Sequence, residues 1–196
     1  INAPVQAHEG EHATIGQPAP PFTAQDTNGK AHSLSDYKGK IVVLEWTNPQ
    51  CPYVKKHYES GNMQALQKQA AADGVVWLTV ASSAKDREGY TTPEEANKLI
   101  ADTGAAASAR LMDADGKIGM MYDAKVTPHM FVIGTDGNLA YAGAIDDNPS
   151  ADPATVKTAK NYVAQAIEEL RAGKPVSMPL TQAYGCGIKY DGSSAG

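Results

Sequence analysis

The chain has 196 residues and a net charge of −5, with 17 basic and 22 acidic side chains. This length suits one domain, and a hydrophobic fraction of 42% is enough to bury a core. The basic residues are scattered, which argues against a nucleic-acid partner. No apolar run approaches the ~18 residues needed to cross a bilayer. We therefore expect neither nucleic-acid binding nor insertion into a membrane.

The first half of the chain predicts strands and one long helix. Asn28-Gly29 is typical of a hairpin turn between two short strands. Residues 41–46 are apolar on both faces and predict a buried central strand. A helix should begin at Pro52 and continue to about residue 72, with Gly61 as a kink or a break. A second buried strand is expected over residues 75–81.

In the second half, helices and strands continue to alternate. Thr92 and Pro93 predict the start of a helix that ends near Gly104. The remaining predicted elements are a strand at 110–112, a short helix at 117–122, a hairpin of 130–133 with 139–143, and one long helix over 152–172. This order predicts an α/β fold, with a mixed central sheet and helices on both faces.

Three segments follow from this pattern. Residues 1–13 are polar and lack periodicity, which predicts a flexible N-terminal arm. Residues 14–173 form the folded domain. Residues 174–196 form an irregular tail that carries Cys186 and ends in a disordered stretch from residue 192. The first residue is Ile1, not Met, so we favour an exported protein, periplasmic or extracellular, over a cytoplasmic one.

The chain contains two cysteines, Cys51 and Cys186. Two are too few for a disulfide scaffold and lack zinc-site spacing. They suit a redox pair, one structural disulfide, or two unrelated thiols. Cys51 stands where a buried strand gives way to a helix, and the helix N-terminus favours a thiolate there. Lys55 and Lys56, one turn further on, are expected to add to this effect. The alternative is a buried, inert cysteine.

Several motifs resemble one family. Residues 16–22 (GQPAPPF), 46–52 (WTNPQCP) and 126–133 (VTPHMFVI) are similar to segments of the peroxiredoxin-like branch, also called AhpC/TSA or redoxin, of the thioredoxin superfamily. The tail at 184–190 (YGCGIKY) also looks like that branch. The resemblance implies a thioredoxin fold and a thiol-dependent oxidoreductase that uses Cys51.

The resemblance also implies site roles. Pro128 is expected in the cis form, with Thr127 leaving its backbone free to pair with an extended substrate. Asn48 stands where peroxiredoxins carry a hydroxyl side chain, and its amide can donate to the thiolate. Glu45 matches a buried acid of thioredoxins that passes protons to the leaving thiol. A partly exposed carboxylate is the alternative for Glu45.

The departures from the family pattern separate the possible reactions. Val54 replaces the second cysteine of a Cys-x-x-Cys motif, so Cys186 is the expected resolving cysteine. The segment around Pro128 lacks the arginine that peroxiredoxins use on peroxide, which argues against fast peroxide reduction. If peroxide reduction proved fast, Arg110 would be the first residue to suspect.

Three functions follow from these patterns. The leading prediction is a thiol-disulfide oxidoreductase that acts on a protein or small-molecule disulfide and is recycled by an external dithiol. The alternatives are a peroxiredoxin-type thiol peroxidase, or a non-enzymatic binding domain with a structural disulfide or a metal site. We expect no cofactor and no metal, since His8, His12, His57 and His129 are more typical of solvated or core histidines than of ligands.

Overall fold

The structure is a computed structural model that describes residues 12–192. The predictions of a flexible arm at 1–13 and of disorder at 192–196 therefore lie almost entirely outside the described residues. Within 12–192 the strands are β1 (Thr23–Gln25), β2 (Ala31–Ser33), β3 (Val42–Trp46), β4 (Val76–Ala81), β5 (Ala109–Met112), β6 (Val126–Thr127), β7 (His129–Ile133), β8 (Leu139–Gly143) and β9 (Cys186–Gly187). The α-helices are α1 (Pro52–Glu59), α2 (Asn62–Ala72), α3 (Pro93–Thr103), α4 (Lys117–Met121) and α5 (Tyr162–Arg171).

A five-stranded sheet in the order β5-β4-β3-β7-β8 forms the centre of the fold. Strand β3 is parallel to β4 and antiparallel to β7, and β7 and β8 form the predicted hairpin. Every residue of β3 is buried, as expected for a strand apolar on both faces. The predicted mixed sheet and thioredoxin-like α/β architecture are confirmed.

Successive side chains of β3 point to opposite faces of the sheet and so contribute to both hydrophobic cores. Leu44 and Trp46 enter one hydrophobic cluster, whereas Val43 enters the cluster on the opposite face. Glu45 points to the same face as Val43, because side chains two residues apart share a face of the sheet. A carboxylate is thereby placed inside the second core, where it must be hydrogen-bonded.

The helix ends follow the predicted signals. Gly61 has φ +77° and separates α1 from α2, so the expected long helix is two helices. Thr92 accepts a hydrogen bond from the backbone N–H of Glu95 and caps α3, with Pro93 in the first turn. Gly104 also has a left-handed backbone conformation, and it ends that helix as expected.

The prediction of one helix over residues 152–172 is wrong. A short 3-10 helix covers Pro153–Lys157, and α5 begins only at Tyr162. Asn161 caps α5 through its side chain, which accepts a hydrogen bond from the N–H of Ala164. The backbone N–H of Tyr162 donates to Ile145 instead of continuing a helix. Tertiary hydrogen bonds at this point replace those of a continuous helix.

Most of the tail has no regular secondary structure, in line with the predicted irregular segment, but it docks on the fold at several points. Thr181 donates its backbone N–H to Ala142 of β8, and β9 pairs antiparallel with β6. Ile188 is only 8% exposed and belongs to the first core cluster. The sequence did not predict β9, because a two-residue strand is too short to show a periodic pattern and a single apolar side chain anchors the segment.

Replacing Ile188 with alanine is expected to cost about 2–4 kcal/mol of unfolding free energy under reducing conditions, because it removes a buried core side chain. Leu180→Ala is the matched control in the same tail, since Leu180 is 69% exposed and should change stability by less than about 0.5 kcal/mol. Urea unfolding with excess dithiol measures both. Equal effects of the two substitutions would show that the reduced tail is not docked.

Candidate functional site

The two cysteines meet although 135 positions separate them in the chain. The Sγ atoms of Cys51 and Cys186 lie 2.7 Å apart, and both residues are present as thiols. Cys51 Sγ also lies 3.2 Å from the carbonyl oxygen of Thr127. Cys51 is 0% exposed, whereas Cys186 is partly exposed. The sulfurs are thus within bonding reach, and the tail residue is the one nearer to solvent.

The loop after β3 holds Cys51 at the N-terminus of α1. The side-chain oxygen of Asn48 accepts a hydrogen bond from the N–H of Gln50, and its carbonyl accepts one from the N–H of Cys51. The carbonyl of Cys51 then accepts the first helical bond, from Lys55. Asn48 therefore shapes the loop through its oxygens. The donation of its amide to the thiolate stays a prediction.

The Thr127-Pro128 peptide bond is cis, as the resemblance implied. The backbone edge of Thr127 was expected to be free for an extended substrate. Instead, Thr127 pairs with Cys186 through the β6–β9 ladder. The chain's own tail therefore occupies the position predicted for the substrate.

Gly185 makes this approach possible. Its φ is +152°, and a Cβ atom placed there would lie 1.9 Å from the carbonyl oxygen of Thr127. No real side chain tolerates such a contact, so only glycine allows the tail to run this close to the cis peptide. The sequence showed Gly185 beside Cys186, but the need for it follows only from the three-dimensional contact.

A buried polar cluster anchors the tail next to Cys186, and we call Lys56, His57, Asp146 and Tyr184 the Tyr184 cluster. Tyr184 Oη donates to Asp146 at 2.6 Å and lies 3.2 Å from both Lys56 Nζ and His57 Nε2. Lys56 Nζ also donates to the carbonyl of Asn148 at 2.8 Å. Asp146 lies in no sequence motif, and Tyr184, although it begins the motif at 184–190, was not predicted to have a role in the site.

The expectation for Lys56 needs correction. Its ammonium lies 3.9 Å from the Asp146 carboxylate and is buried inside the Tyr184 cluster. Burial lowers its pKa, and Asp146 opposes that change. Lys56 therefore belongs to the network that holds the tail, instead of serving mainly to support a Cys51 thiolate.

Burial changes the acidity of two groups around the tail. It lowers the pKa of His57 from 6.5 to about 4, with Asp146 opposing the shift, so the imidazole is neutral at neutral pH. Burial, together with the hydrogen bond and charge of Cys51, raises the pKa of Cys186 to about 12. Cys186 is thus a thiol at neutral pH, and it must lose its proton before it can attack another sulfur.

Glu45 is fully buried, and the alternative of a partly exposed carboxylate is wrong. Its oxygens accept hydrogen bonds from Tyr58 Oη at 2.6 Å, Trp77 Nε1 at 2.8 Å and Gln67 Nε2 at 3.1 Å. Burial raises its pKa, although these hydrogen bonds oppose the change. The bonds run to Tyr58, Trp77 and Gln67 and to neither sulfur, so a role in proton transfer stays a prediction.

The histidines do not assemble a metal site in the part of the chain that the structure describes. His129 stacks on Phe131 with ring centroids 4.6 Å apart and accepts a hydrogen bond from the N–H of Lys125. Burial lowers its pKa to about 4. Between residues 12 and 192, no group of three or more His, Cys, Asp or Glu side chains is placed to hold a metal ion. His8 lies outside the described residues.

The sheet order, the cis proline and a cysteine that caps the helix after the central strand define a protein with the thioredoxin fold. Residues 15–142 match the AhpC/TSA family, and the chain belongs to that family. None of the helices in the described part of the chain is long and apolar enough to cross a membrane.

Similar proteins agree with this assignment. The thiol-disulfide oxidoreductase ResA of Bacillus subtilis (strain 168) is 28% identical over 129 residues, which are 66% of this chain and 66% of that relative. The match therefore spans just under two thirds of that relative's length. The crystal structure of an uncharacterised conserved protein from Geobacillus kaustophilus has a TM-score of 0.80 and 25% identity, covering 92% of this chain and 94% of that one. A hypothetical protein from Sinorhizobium meliloti 1021 has a TM-score of 0.78 and 21% identity, covering 92% and 96%.

Gly185→Ala is expected to separate Cys186 from Cys51, because the added methyl group collides with the Thr127 carbonyl. Under mild oxidation, the variant should form the intramolecular disulfide at least about tenfold more slowly than the unmodified protein, which corresponds to an activation barrier higher by about 1.4 kcal/mol. Gly187→Ala is the control, since a Cβ there meets no atom within 4 Å. Non-reducing mass spectrometry with thiol alkylation gives the rates. Identical rates for the two variants would contradict the observed contact.

Lowering the pH is expected to destabilise the fold through His57. The folded pKa of about 4 lies below the ordinary 6.5, so the unfolded chain binds more protons between these values. Stability is fully present above pH 6.5 and is lost as the pH falls towards 4, by about 2 kcal/mol between pH 7 and pH 5. Urea unfolding at a series of pH values measures this slope. His57→Gln should make it shallower, and an unchanged slope would remove His57 as its source.

Proposed function

We propose that the protein is a thiol-disulfide oxidoreductase in which Cys51 is the nucleophile and Cys186 the resolving cysteine. The observation that carries this proposal is the 2.7 Å separation of the two sulfurs, one at a helix N-terminus and the other in the tail. The similarity to the ResA thiol-disulfide oxidoreductase supports the same class of reaction. Val54 in place of a second helical cysteine explains why the partner must come from elsewhere.

The reaction proceeds in two exchanges. The Cys51 thiolate attacks one sulfur of a substrate disulfide, forming a mixed disulfide and releasing the other substrate sulfur as a thiolate. Cys186 then loses its proton and attacks Cys51 Sγ, which releases the second substrate thiolate. The substrate gains two electrons, and the protein keeps a Cys51–Cys186 disulfide. An external dithiol reduces that disulfide by the same exchange and returns both thiols.

Substrate entry requires the tail to move. Cys51 is fully buried, and β9 covers the backbone edge of Thr127 beside it. When β9 leaves, an extended peptide can take its two positions on β6 and place a disulfide against Cys51. The tail and the substrate would then use the same hydrogen-bonding groups in turn.

The surroundings of Cys51 favour disulfide exchange over peroxide reduction. A peroxide places negative charge on a departing oxygen, which requires fixed donors around it. The described neighbours of Cys51 Sγ are the carbonyl of Thr127, which is an acceptor, and the weakly donating thiol of Cys186. Tyr58 and Glu45 are the groups that act electrostatically on Arg110, and its Nε and Nη2 atoms make no hydrogen bond to any described residue, Cys51 included, so these donors do not serve the sulfur. Each missing donor typically costs about a hundredfold in rate or more.

Single-cysteine variants test the two roles. The unmodified protein, in the presence of a small dithiol, should reduce oxidised glutathione, and Cys51→Ser should abolish that activity. When the dithiol is left out, Cys186→Ser should instead accumulate a mixed disulfide between Cys51 and glutathione, because Cys186 is no longer there to carry out the second exchange. Mass spectrometry under non-reducing conditions detects this adduct, and the rate of thiol release follows turnover.

A parallel experiment with hydrogen peroxide decides between the enzyme functions. We expect oxidation of reduced Cys51 by peroxide to be slow beside its reaction with a disulfide. Faster reaction with peroxide would favour a thiol peroxidase of the peroxiredoxin type. Unchanged activity in Cys51→Ser, or a Cys51–Cys186 disulfide that dithiols do not reduce, would favour a non-enzymatic domain with a structural bond.

An exported location belongs to this proposal, as does an external dithiol as the reducing partner. Cell fractionation that found the full protein in the cytoplasm would contradict the location and leave the thiol chemistry unaffected.

A further inference from the structure

A pocket lies between α1, α3, β4 and β5, beside the helix that begins directly after Cys51. The pocket has a volume of about 580 Å³, which is within the range of small-molecule sites. Its walls are largely apolar and include Pro49, Val54, Leu99, Ile100 and Ala107. The cysteine chemistry described above makes no use of this space.

Arg110 supplies an unusual group to the pocket. The residue is only 9% exposed, and its Nε and Nη2 atoms are buried without a hydrogen-bond partner among the described residues. Buried guanidinium donors left unpaired are costly, because the charge has lost its water and gained no acceptor. The unpaired donors of Arg110 therefore indicate that a hydrogen-bond acceptor for this guanidinium comes from a bound ligand.

The nearest internal candidate for that acceptor is already occupied. Glu45 lies close enough to influence the pKa of Arg110 electrostatically, but it makes no ion pair with it within 4 Å. Both carboxylate oxygens of Glu45 accept hydrogen bonds from Tyr58, Trp77 and Gln67. The core thus satisfies its buried acid without Arg110, which is one of the residues that line the pocket.

We propose that this pocket binds a small organic monocarboxylate with an apolar body. On binding, Arg110 would turn its Nε–Nη2 edge, which has almost no accessible surface in the unliganded chain, towards the carboxylate oxygens, an arrangement that matches the guanidinium fork. The apolar part would lie against Val54, Leu99 and Ile100. Removing this part from water supplies affinity, while the buried charge supplies the preference for an acid.

Exposed carboxylates along the pocket limit the ligand to one negative charge. Glu59 and Asp102 are exposed and line the pocket together with the exposed Lys55, whereas Asp26, which also lines it, is buried and hydrogen-bonded to His32. A phosphate or a dicarboxylate would bring a second negative charge towards these carboxylates, and like charges repel. A monocarboxylate instead places its only charge at Arg110 and its neutral end towards the opening.

The experiment uses hexanoate as the probe and hexanamide as its neutral counterpart, titrated into the full chain by calorimetry. Hexanoate should bind, and hexanamide should bind at least about tenfold more weakly, a difference of about 1.4 kcal/mol. Arg110→Met should weaken hexanoate binding by at least about tenfold. Lys55→Met, which removes a cation from the same pocket but not from its buried end, should change binding by less than about threefold.

Several outcomes would overturn the proposal. These are equal affinity for the acid and the amide, unchanged binding in Arg110→Met, tighter binding of inorganic phosphate than of hexanoate, or no heat of binding at about 10 mM hexanoate. Near-ultraviolet circular dichroism checks that the variant is folded. If Arg110→Met does not fold, Arg110→Lys keeps the charge without the fork, and the comparison of acid and amide on the unmodified chain still decides. None of these measurements needs a functional cysteine, so they stand apart from the proposed redox activity.

Discussion

The pairing of two tail residues with the strand before a cis proline determines the geometry of the whole site. Through it, β9 places Cys186 opposite Thr127, and the Thr127 carbonyl in turn contacts the sulfur of Cys51. Neither residue of β9 would hold this position alone. Tyr184 on one side and Ile188 on the other fix the segment, one through buried hydrogen bonds and the other through the core. A cysteine from the far end of the chain thereby reaches a helix N-terminus.

The second organising feature is the carboxyl group of Glu45, which β3 buries in the core. Alternation along β3 forces Glu45 into a core, where Tyr58, Trp77 and Gln67 hydrogen-bond its carboxylate. Gln67 also accepts the backbone N–H of Ala106, so one amide joins α2, the sheet and the segment before β5. This network lies beside α1 and the pocket that α1 lines. Because Glu45 is already hydrogen-bonded, it does not serve as the acceptor for Nε and Nη2 of Arg110, which have no hydrogen-bond partner among the described residues.

Local chemistry in the sequence predicted the scaffold well. The apolar strand at β3, the cap at Thr92 and the breaker at Gly61 each depend on neighbours in the chain, and the structure has all three features. The failures involve contacts between distant segments. Asp146 and Tyr184 are 38 positions apart, and their role depends on the hydrogen bond between them, which the sequence does not show. The pairing of β6 with β9 was missed because two-residue strands have no periodic pattern, and Lys56 was assigned to the cysteine because its burial beside Asp146 cannot be read from the sequence.

A resolving cysteine in a docked tail has a consequence that a helical pair of cysteines lacks. In a Cys-x-x-Cys arrangement both sulfurs belong to one helix, so oxidation changes little beyond the turn that carries them. Here oxidation would join α1 covalently to β9, whereas reduction would leave β9 held by Tyr184, Ile188 and the β6 ladder. A bond present only in the docked state favours that state, and by linkage every contact that docks the tail also favours the bond. If the two cysteines react as proposed, contacts far from the sulfurs therefore contribute to the reduction potential of the pair, and docking of the tail couples substrate access to the redox state.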